Sequence, residues 1–329
     1  MKTRSLAGAL VGALLLLPLA ACGSDSDSGD GSVDQTDGID VDLADGGPER
    51  IVAQTTIAAA LTQLGLGDRI VGTFGPLNGP DGGVDSQAQG LDPASVEDVT
   101  GAGDYGDIDE EKVAALDPDL IVTSSYIEGD YWYMSKPIHD SLGQQWDIVV
   151  ANYDGLDLTG QIEEVQELAE ELGADLDSDE VAAGQAAFDE ASATATALGE
   201  QLTAAGKTAL AVSGSVDSFY VSNPAVSQDL NYWVETLGLP ITIPDNPDAQ
   251  GYFETLSWED ADKYNADLVL VDDRQGQAGV QALKAQPVFA TITAAKNDAY
   301  TPWTSVYPPT YQTAADLLTR FTTAAQGLL

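Results

Sequence analysis

Apolar residues recur at helical intervals through residues 158–205, and the segments on either side of that stretch resemble each other. Ile162, Val165, Leu168, Ala169 and Leu172 share one helix face, and Val181, Phe188, Ala195 and Leu202 follow at heptad spacing. The pattern predicts a strut with an apolar stripe. Gly173-Ala174-Asp175 breaks it into a short helix and a longer one, the second capped by Ser178 or Asp179. Ahead of the strut, Ile51-Val52-Ala53 reads as a strand, 57–64 as a helix closed by Gly65, and Ile70-Val71-Gly72 as a second strand. These make a βαβ unit with parallel strands. Residues 74–107, rich in Gly, Asp and Pro, predict long loops. A short helix capped by Asp109, a buried strand Leu120-Ile121-Val122, an aromatic loop at 126–133, a helix at 136–142 and a strand Ile148-Val149-Val150 complete this half.

Beyond the strut the pattern returns. A strand at 208–212 precedes a helix at 228–237, which Gly238-Leu239-Pro240 stops, and then a strand Ile241-Thr242-Ile243. Ser257 caps a short helix at 258–264 ahead of the strand Leu268-Val269-Leu270-Val271. Glu111 stands eight residues before Asp119-Leu120-Ile121, and Glu259 eight before Asp267-Leu268-Val269. Leu64-Gly65-Leu66 and Leu237-Gly238-Leu239 match as turns, and the same register sets Tyr126 opposite Arg274. The predicted fold is α/β, with two Rossmann-like lobes joined by a long backbone helix: 48–157, the connector 158–206, and 207–329. Ligands of open parallel sheets sit beyond the carboxyl ends of the strands, so two such lobes facing each other predict a cleft between them.

The amino terminus bears on location. Lys2 and Arg4 precede an apolar run over 6–17, and Leu19-Ala20-Ala21-Cys22 follows, which resembles a lipoprotein signal (1–21) with its lipobox. The resemblance implies cleavage before Cys22 and lipid on it, and so anchoring to the outer face of the cell membrane. The apolar run is shorter than the roughly 18 residues a membrane span requires. Cys22 is the sole cysteine, which excludes a disulfide and thiolate chemistry from the folded part. The remainder of 22–47 carries Asp, Gly and Ser without Lys or Arg, a composition that predicts a disordered acidic tether. With 54 Asp+Glu against 12 Lys+Arg, the net charge of −42 excludes nucleic acid as a partner.

Glu49-Arg50-Ile51-Val52, the run 64–72, Glu111 with 116–122, and 257–271 together resemble the substrate-binding lipoproteins of ABC importers for iron-siderophores, haem and cobalamin, the class III periplasmic binding proteins. The resemblance covers 48–329. It implies a monomer that delivers its cargo to an ABC permease dimer, docking through one glutamate on each lobe; by motif position these are Glu111 and Glu259. A carboxylate in the first turn of a helix is favoured by the helix dipole and is read bidentately by arginine, although any glutamate is welcome in that position.

An iron chelate brings its own oxygen ligands, so its receptor needs apolar walls and a few donors rather than a metal site or a cofactor; iron belongs to the cargo. Tyr105, Tyr126, Tyr131, Trp132, Tyr133, Tyr220, Trp303 and Tyr307 are the candidate wall residues, and Tyr232, Trp233 and Phe289 fall at core spacing. Arg274 follows a buried strand, where it can hydrogen-bond chelate oxygens or pair with Asp272 or Asp273. Arg50, Arg69, Arg274 and Arg320 are the only arginines of the mature chain. That scarcity disfavours a ferric catecholate with about three negative charges and favours a hydroxamate-type siderophore. Haem or a corrinoid is the alternative cargo. His139, the only histidine, reads as an ordinary surface position, which also argues against zinc or manganese sites and histidine-based hydrolysis. A surface sensor and a carbohydrate-active enzyme with a carboxylate pair are the rivals of another class. No catalytic residue is predicted and the chain is not read as an enzyme.

Overall fold

The computed structural model describes residues 47–102, 106–214 and 218–329; the signal segment, Cys22, the tether up to residue 46, and Tyr105 lie outside them. Strand β1 (Ile51–Gln54) is buried throughout, as a strand covered on both faces must be. Helix α1 (Thr55–Leu61) returns the chain to β2 (Ile70–Phe74), parallel to β1. The first lobe adds β3 (Glu97–Asp98), α2 (Glu110–Leu116), β4 (Leu120–Ile127), β5 (Asp130–Tyr131), α3 (Lys136–Leu142) and β6 (Asp147–Asn152). Its sheet runs β3-β2-β1-β4; β6 pairs parallel with β4, and β5 folds back antiparallel on the end of β4.

Helices α4 (Leu158–Glu171) and α5 (Asp179–Ala204) form the connector. Gly173, at φ 91°, ends the first in a left-handed conformation open to glycine, and the Ser178 side chain accepts from Val181 N to start the second. Both helices serve both lobes. Leu158 and Ile162 of α4 pack in the core of the second lobe, whereas its Val165, Leu168, Ala169 and Leu172 pack in that of the first. The stripe of α5 does the reverse, from Val181 against the first lobe to Phe188, Ala195, Leu198 and Leu202 in the second.

The second lobe comprises β7 (Ala209–Gly214), β8 (Phe219–Ser222), α6 (Gln228–Asn231), β9 (Phe253–Leu256), β10 (Leu268–Asp272), α7 (Gly276–Lys284), α8 (Thr293–Lys296), β11 (Tyr300–Trp303) and α9 (Tyr311–Gln326). Its strand order is β11-β10-β7-β8-β9, parallel as far as β7 and antiparallel beyond. The predicted strand at 241–243 is reduced to one bridge from Ile241 to Ala209, because Pro240 and Pro244 interrupt the ladder on both sides. Its place is taken by β8, which lies too close in sequence to β7 for the crossover that parallel pairing demands.

The paired sequence blocks correspond to paired structures. Asp119 Oδ2 accepts from the backbone of Glu49 and Arg50, and Asp267 Oδ2 accepts from Thr208 N, so each pins the start of a neighbouring strand. Gly65 (φ 90°), within the π-helical turn Thr62–Leu66, and Gly238 (φ 68°), just past the π-helical turn Tyr232–Thr236, each redirect the chain. Close approach fixes a further glycine: a Cβ at Gly199 of α5 would lie 2.9 Å from the Gly238 carbonyl oxygen. Gly199→Val should therefore lower stability by about 1–3 kcal/mol through overpacking; an unchanged urea midpoint would show that the connector has room to move.

Hydrogen bonds also cross directly between the lobes. Gln63 of the first meets Thr310 and Thr313 at the start of α9, Gln89 donates to Asp316, Ser86 donates to Asp273, and Asp81 accepts from Gln277 N at the start of α7. Among the described residues no helix is long and apolar enough to cross a membrane.

Candidate functional site

The carboxyl ends of β4, β10 and β11 converge with the β8 and β9 edge on a cavity of about 270 Å³ between the lobes. The first lobe contributes Tyr126 and Ile127 from the end of β4, and Asp130 and Trp132 from the returning strand; Gly129, at φ 78°, makes that reversal possible. The second lobe contributes Ser222, Tyr252 and Phe253 from the β8 and β9 edge, Arg274 after β10, and Trp303 with Ser305 and Val306 from β11 onward. A second hollow of about 320 Å³ adjoins it, sharing Tyr126, Gln228 and Tyr252 and adding Asp154 and Asp157.

The walls are fixed from behind. Tyr126 meets Trp132 and Tyr153 edge-on, with ring centroids 5.1 and 5.2 Å apart. Burial raises the Tyr126 hydroxyl well above the usual tyrosine range against the opposing pull of Arg274, so it stays a neutral donor. Trp303 donates its indole N–H to Asp229 Oδ2 at 2.7 Å. Arg274 donates through Nε and Nη2 to Asp272, the shortest contact being 2.6 Å, and Asp272 also accepts from Arg274 N and Ser305 Oγ. Burial works against the charge of Arg274, but the Asp272 hydrogen bonds hold its proton more tightly than usual. Its side chain is 38% exposed, so it is paired and still reaches the cavity. Positive charge at this site is thereby largely matched.

Of the expected wall residues, Tyr126, Trp132, Arg274 and Trp303 line the cavity. The other described candidates do not. Tyr131 stacks on His139 at 4.0 Å and packs against the outer core of the first lobe. Tyr133, at φ 56°, is turned into the same core with its hydroxyl 3.4 Å from Gln87 Oε1. Tyr220 sits edge-on to Phe253, and Ser222, two residues along the same strand face, takes the cavity position. Tyr307 is a core residue of the second lobe, while Ser305 and Val306 just before it line the cavity. Trp233 and Phe289 are core, with Tyr232 packed against it.

Tyr252 and Phe253 escaped sequence reading because β9 is a four-residue edge strand inside a Pro- and Asp-rich stretch; the aromatic pair after Gly251 was the available signal. Asp229 was hidden within a helix of four residues. Arg50 and Arg69 are occupied away from the cavity by the carbonyls of Leu116 and Leu172, and Arg320 reaches Thr304 and Asp273. Glu111 and Glu259 are both exposed. Glu111 lies in the first turn of α2, which Asp109 caps, while Glu259 lies in a three-residue 3-10 turn, Trp258–Asp260, too short for the helix-dipole argument to apply. No group of three His, Cys, Asp or Glu side chains able to hold a metal forms among the described residues.

The family model for periplasmic binding proteins matches residues 51–305, across both lobes and the cleft. The chain belongs to the periplasmic binding protein family. This family comprises extracytoplasmic binding proteins rather than enzymes, working with ABC transporters. Among solved structures, the chain is similar to DesE, a ferric-siderophore receptor protein from Streptomyces coelicolor. The two share 32% identity over 86% of this chain and 94% of that one, with a TM-score of 0.76. A siderophore periplasmic binding protein from the fuscachelin gene cluster of Thermobifida fusca is 23% identical over 85% and 98% of the two chains, TM-score 0.63. The heme-binding protein RhuT from Roseiflexus sp. RS-1 is 20% identical over 85% and 100%, TM-score 0.58. The last two show the fold alone. No curated protein matches.

Proposed function

We propose that this binding protein captures a ferric siderophore, of neutral or cationic hydroxamate type, between its lobes and delivers it to an ABC permease. The observation that carries this reading is a cavity walled by Tyr126, Trp132, Tyr252, Phe253 and Trp303 whose one arginine is already matched by Asp272. Such walls suit a bulky guest that supplies its own metal ligands. Asp130 at the cavity, and Asp154 and Asp157 in the adjoining hollow, add negative potential that favours a neutral or cationic guest over a trianionic one. Similarity to a ferric-siderophore receptor supports the class of cargo. His139 stacks on Tyr131 and is absent from the cavity lining, so haem would have to take a tyrosine as axial ligand. Lipid on Cys22 would hold the protein at the membrane, and Glu111 and Glu259 would meet the permease.

Tryptophan-fluorescence titration with a ferric trihydroxamate, a ferric tricatecholate, haem and a corrinoid tests this reading, since Trp132 and Trp303 line the cavity. The hydroxamate is expected to bind most tightly, and Arg274→Ala to weaken it by about 1–3 kcal/mol, the range for a hydrogen bond to a charged group. Preference for the catecholate or haem would overturn the hydroxamate assignment. Unchanged affinity in Arg274→Ala would remove that residue from the site.

A further inference from the structure

Beneath the cavity floor lies a buried carboxylate. Asp229, 1% exposed, accepts from Trp303 Nε1 at 2.7 Å through one oxygen and from Ser227 Oγ at 2.9 Å through the other. Trp303 and Ser227 both line the cavity, as does Gln228 between Ser227 and Asp229. One side chain therefore joins the end of β11 to the start of α6, two pieces of wall that are separate in sequence.

We propose that Asp229 is a positioning residue for guest capture: ionised, it ties the Trp303 wall to the Ser227–Gln228 rim in the guest-ready shape, and neutral, it holds them less firmly. This rests on the capture reading above. Two charge-assisted bonds made by a carboxylate become neutral ones when it takes up a proton, at roughly half the strength. Negative potential under the guest is lost at the same time. The titratable groups facing Asp229 are the hydroxyls of Tyr126 and Tyr307, both kept neutral by burial, and Arg274 across the cavity is paired to Asp272. Burial pushes the Asp229 carboxyl up to about 6, against the bonds from Trp303, Ser227 and Leu230 N. Its value in the fold thus exceeds that of an unfolded aspartate, about 3.9. The folded chain takes up the proton first as pH falls, so acidification through 6 relieves the buried charge and stabilises the fold while it slackens the wall.

Two readouts test this. In guest-free, 15N-labelled protein, the indole N–H resonance of Trp303, identified by its loss in Trp303→Phe, is expected to shift with a midpoint near pH 6. In the isosteric Asp229→Asn it is expected to stay fixed. In ferric trihydroxamate titrations, wild-type affinity is expected to fall about 3- to 10-fold from pH 7.5 to 5, and that of Asp229→Asn to be lower at pH 7.5 and flat across the range. An immobile indole resonance, or an Asp229→Asn protein that keeps the wild-type pH dependence, overturns the proposal. If no ferric hydroxamate binds either protein at any pH, the capture reading fails and the guest-linked part falls with it. The indole titration by itself still decides whether Asp229 governs the wall.

Discussion

Uptake of the ferric guest should fall by about 100-fold or more when Glu111 and Glu259 are both replaced by alanine, while guest affinity in the isolated protein stays unchanged. Each is an exposed acid in the first turn of its element, Glu111 on the first lobe and Glu259 on the second. Neither lines the cavity, so truncation leaves the guest's surroundings intact. Loss of a well-placed interfacial charge pair costs about 2–5 kcal/mol, much of it from the partner charge left unmet. Each single variant should therefore lose at least about tenfold. Radiolabelled-iron uptake beside fluorescence titration separates the two properties. Full uptake by the double variant would leave the import reading without its docking pair, and matched losses of affinity and uptake would mean that the substitutions disturb the fold.

Asp272→Ala is expected to lower stability by about 2–4 kcal/mol and to change which guest is preferred. The carboxylate is 2% exposed and accepts from Arg274 through backbone and guanidinium and from Ser305. Removing one partner of a buried pair costs about 3–5 kcal/mol; Arg274, 38% exposed, retains some hydration, which lowers the expected loss. The freed guanidinium then presents uncompensated charge to the cavity. A ferric catecholate should gain affinity relative to a neutral hydroxamate, whereas Asp272→Asn, which keeps an acceptor, should lose less stability. Urea melts and paired titrations check both, and an unaltered guest preference would show that the charge of Arg274 does not select the cargo.

How much could be read beforehand depended on whether a signal was local. The strand-and-turn blocks around Asp119 and Asp267 were legible because their pattern is short, apolar and repeated, and in both lobes that aspartate anchors a neighbouring strand. The break at Gly173 and a cap at Ser178 or Asp179 were legible because capping depends on residues within one turn, and the structure assigns the cap to Ser178. Aromatic residues were a weaker guide. Tyr126 and Tyr131 stand on neighbouring antiparallel strands five residues apart, yet one faces the cavity and the other stacks on His139; strand parity and the reversal at Gly129 decide which. Tyr252 and Phe253 reach the cavity through pairing of β9 with β8, which no local pattern announces.

By itself the sequence determined two α/β lobes, the helical connector and its break, and the chemistry available to the cleft: many aromatics, few cations, one histidine. Periodicity, capping and composition act over a few residues, and a single chain displays them in full. Only the tertiary structure decided which aromatics face the guest, that Asp272 matches Arg274, and that Asp229 holds Trp303 from 74 positions away. Those outcomes depend on the packing of distant segments against each other, where burial and pairing are set by neighbours that the order of residues does not name.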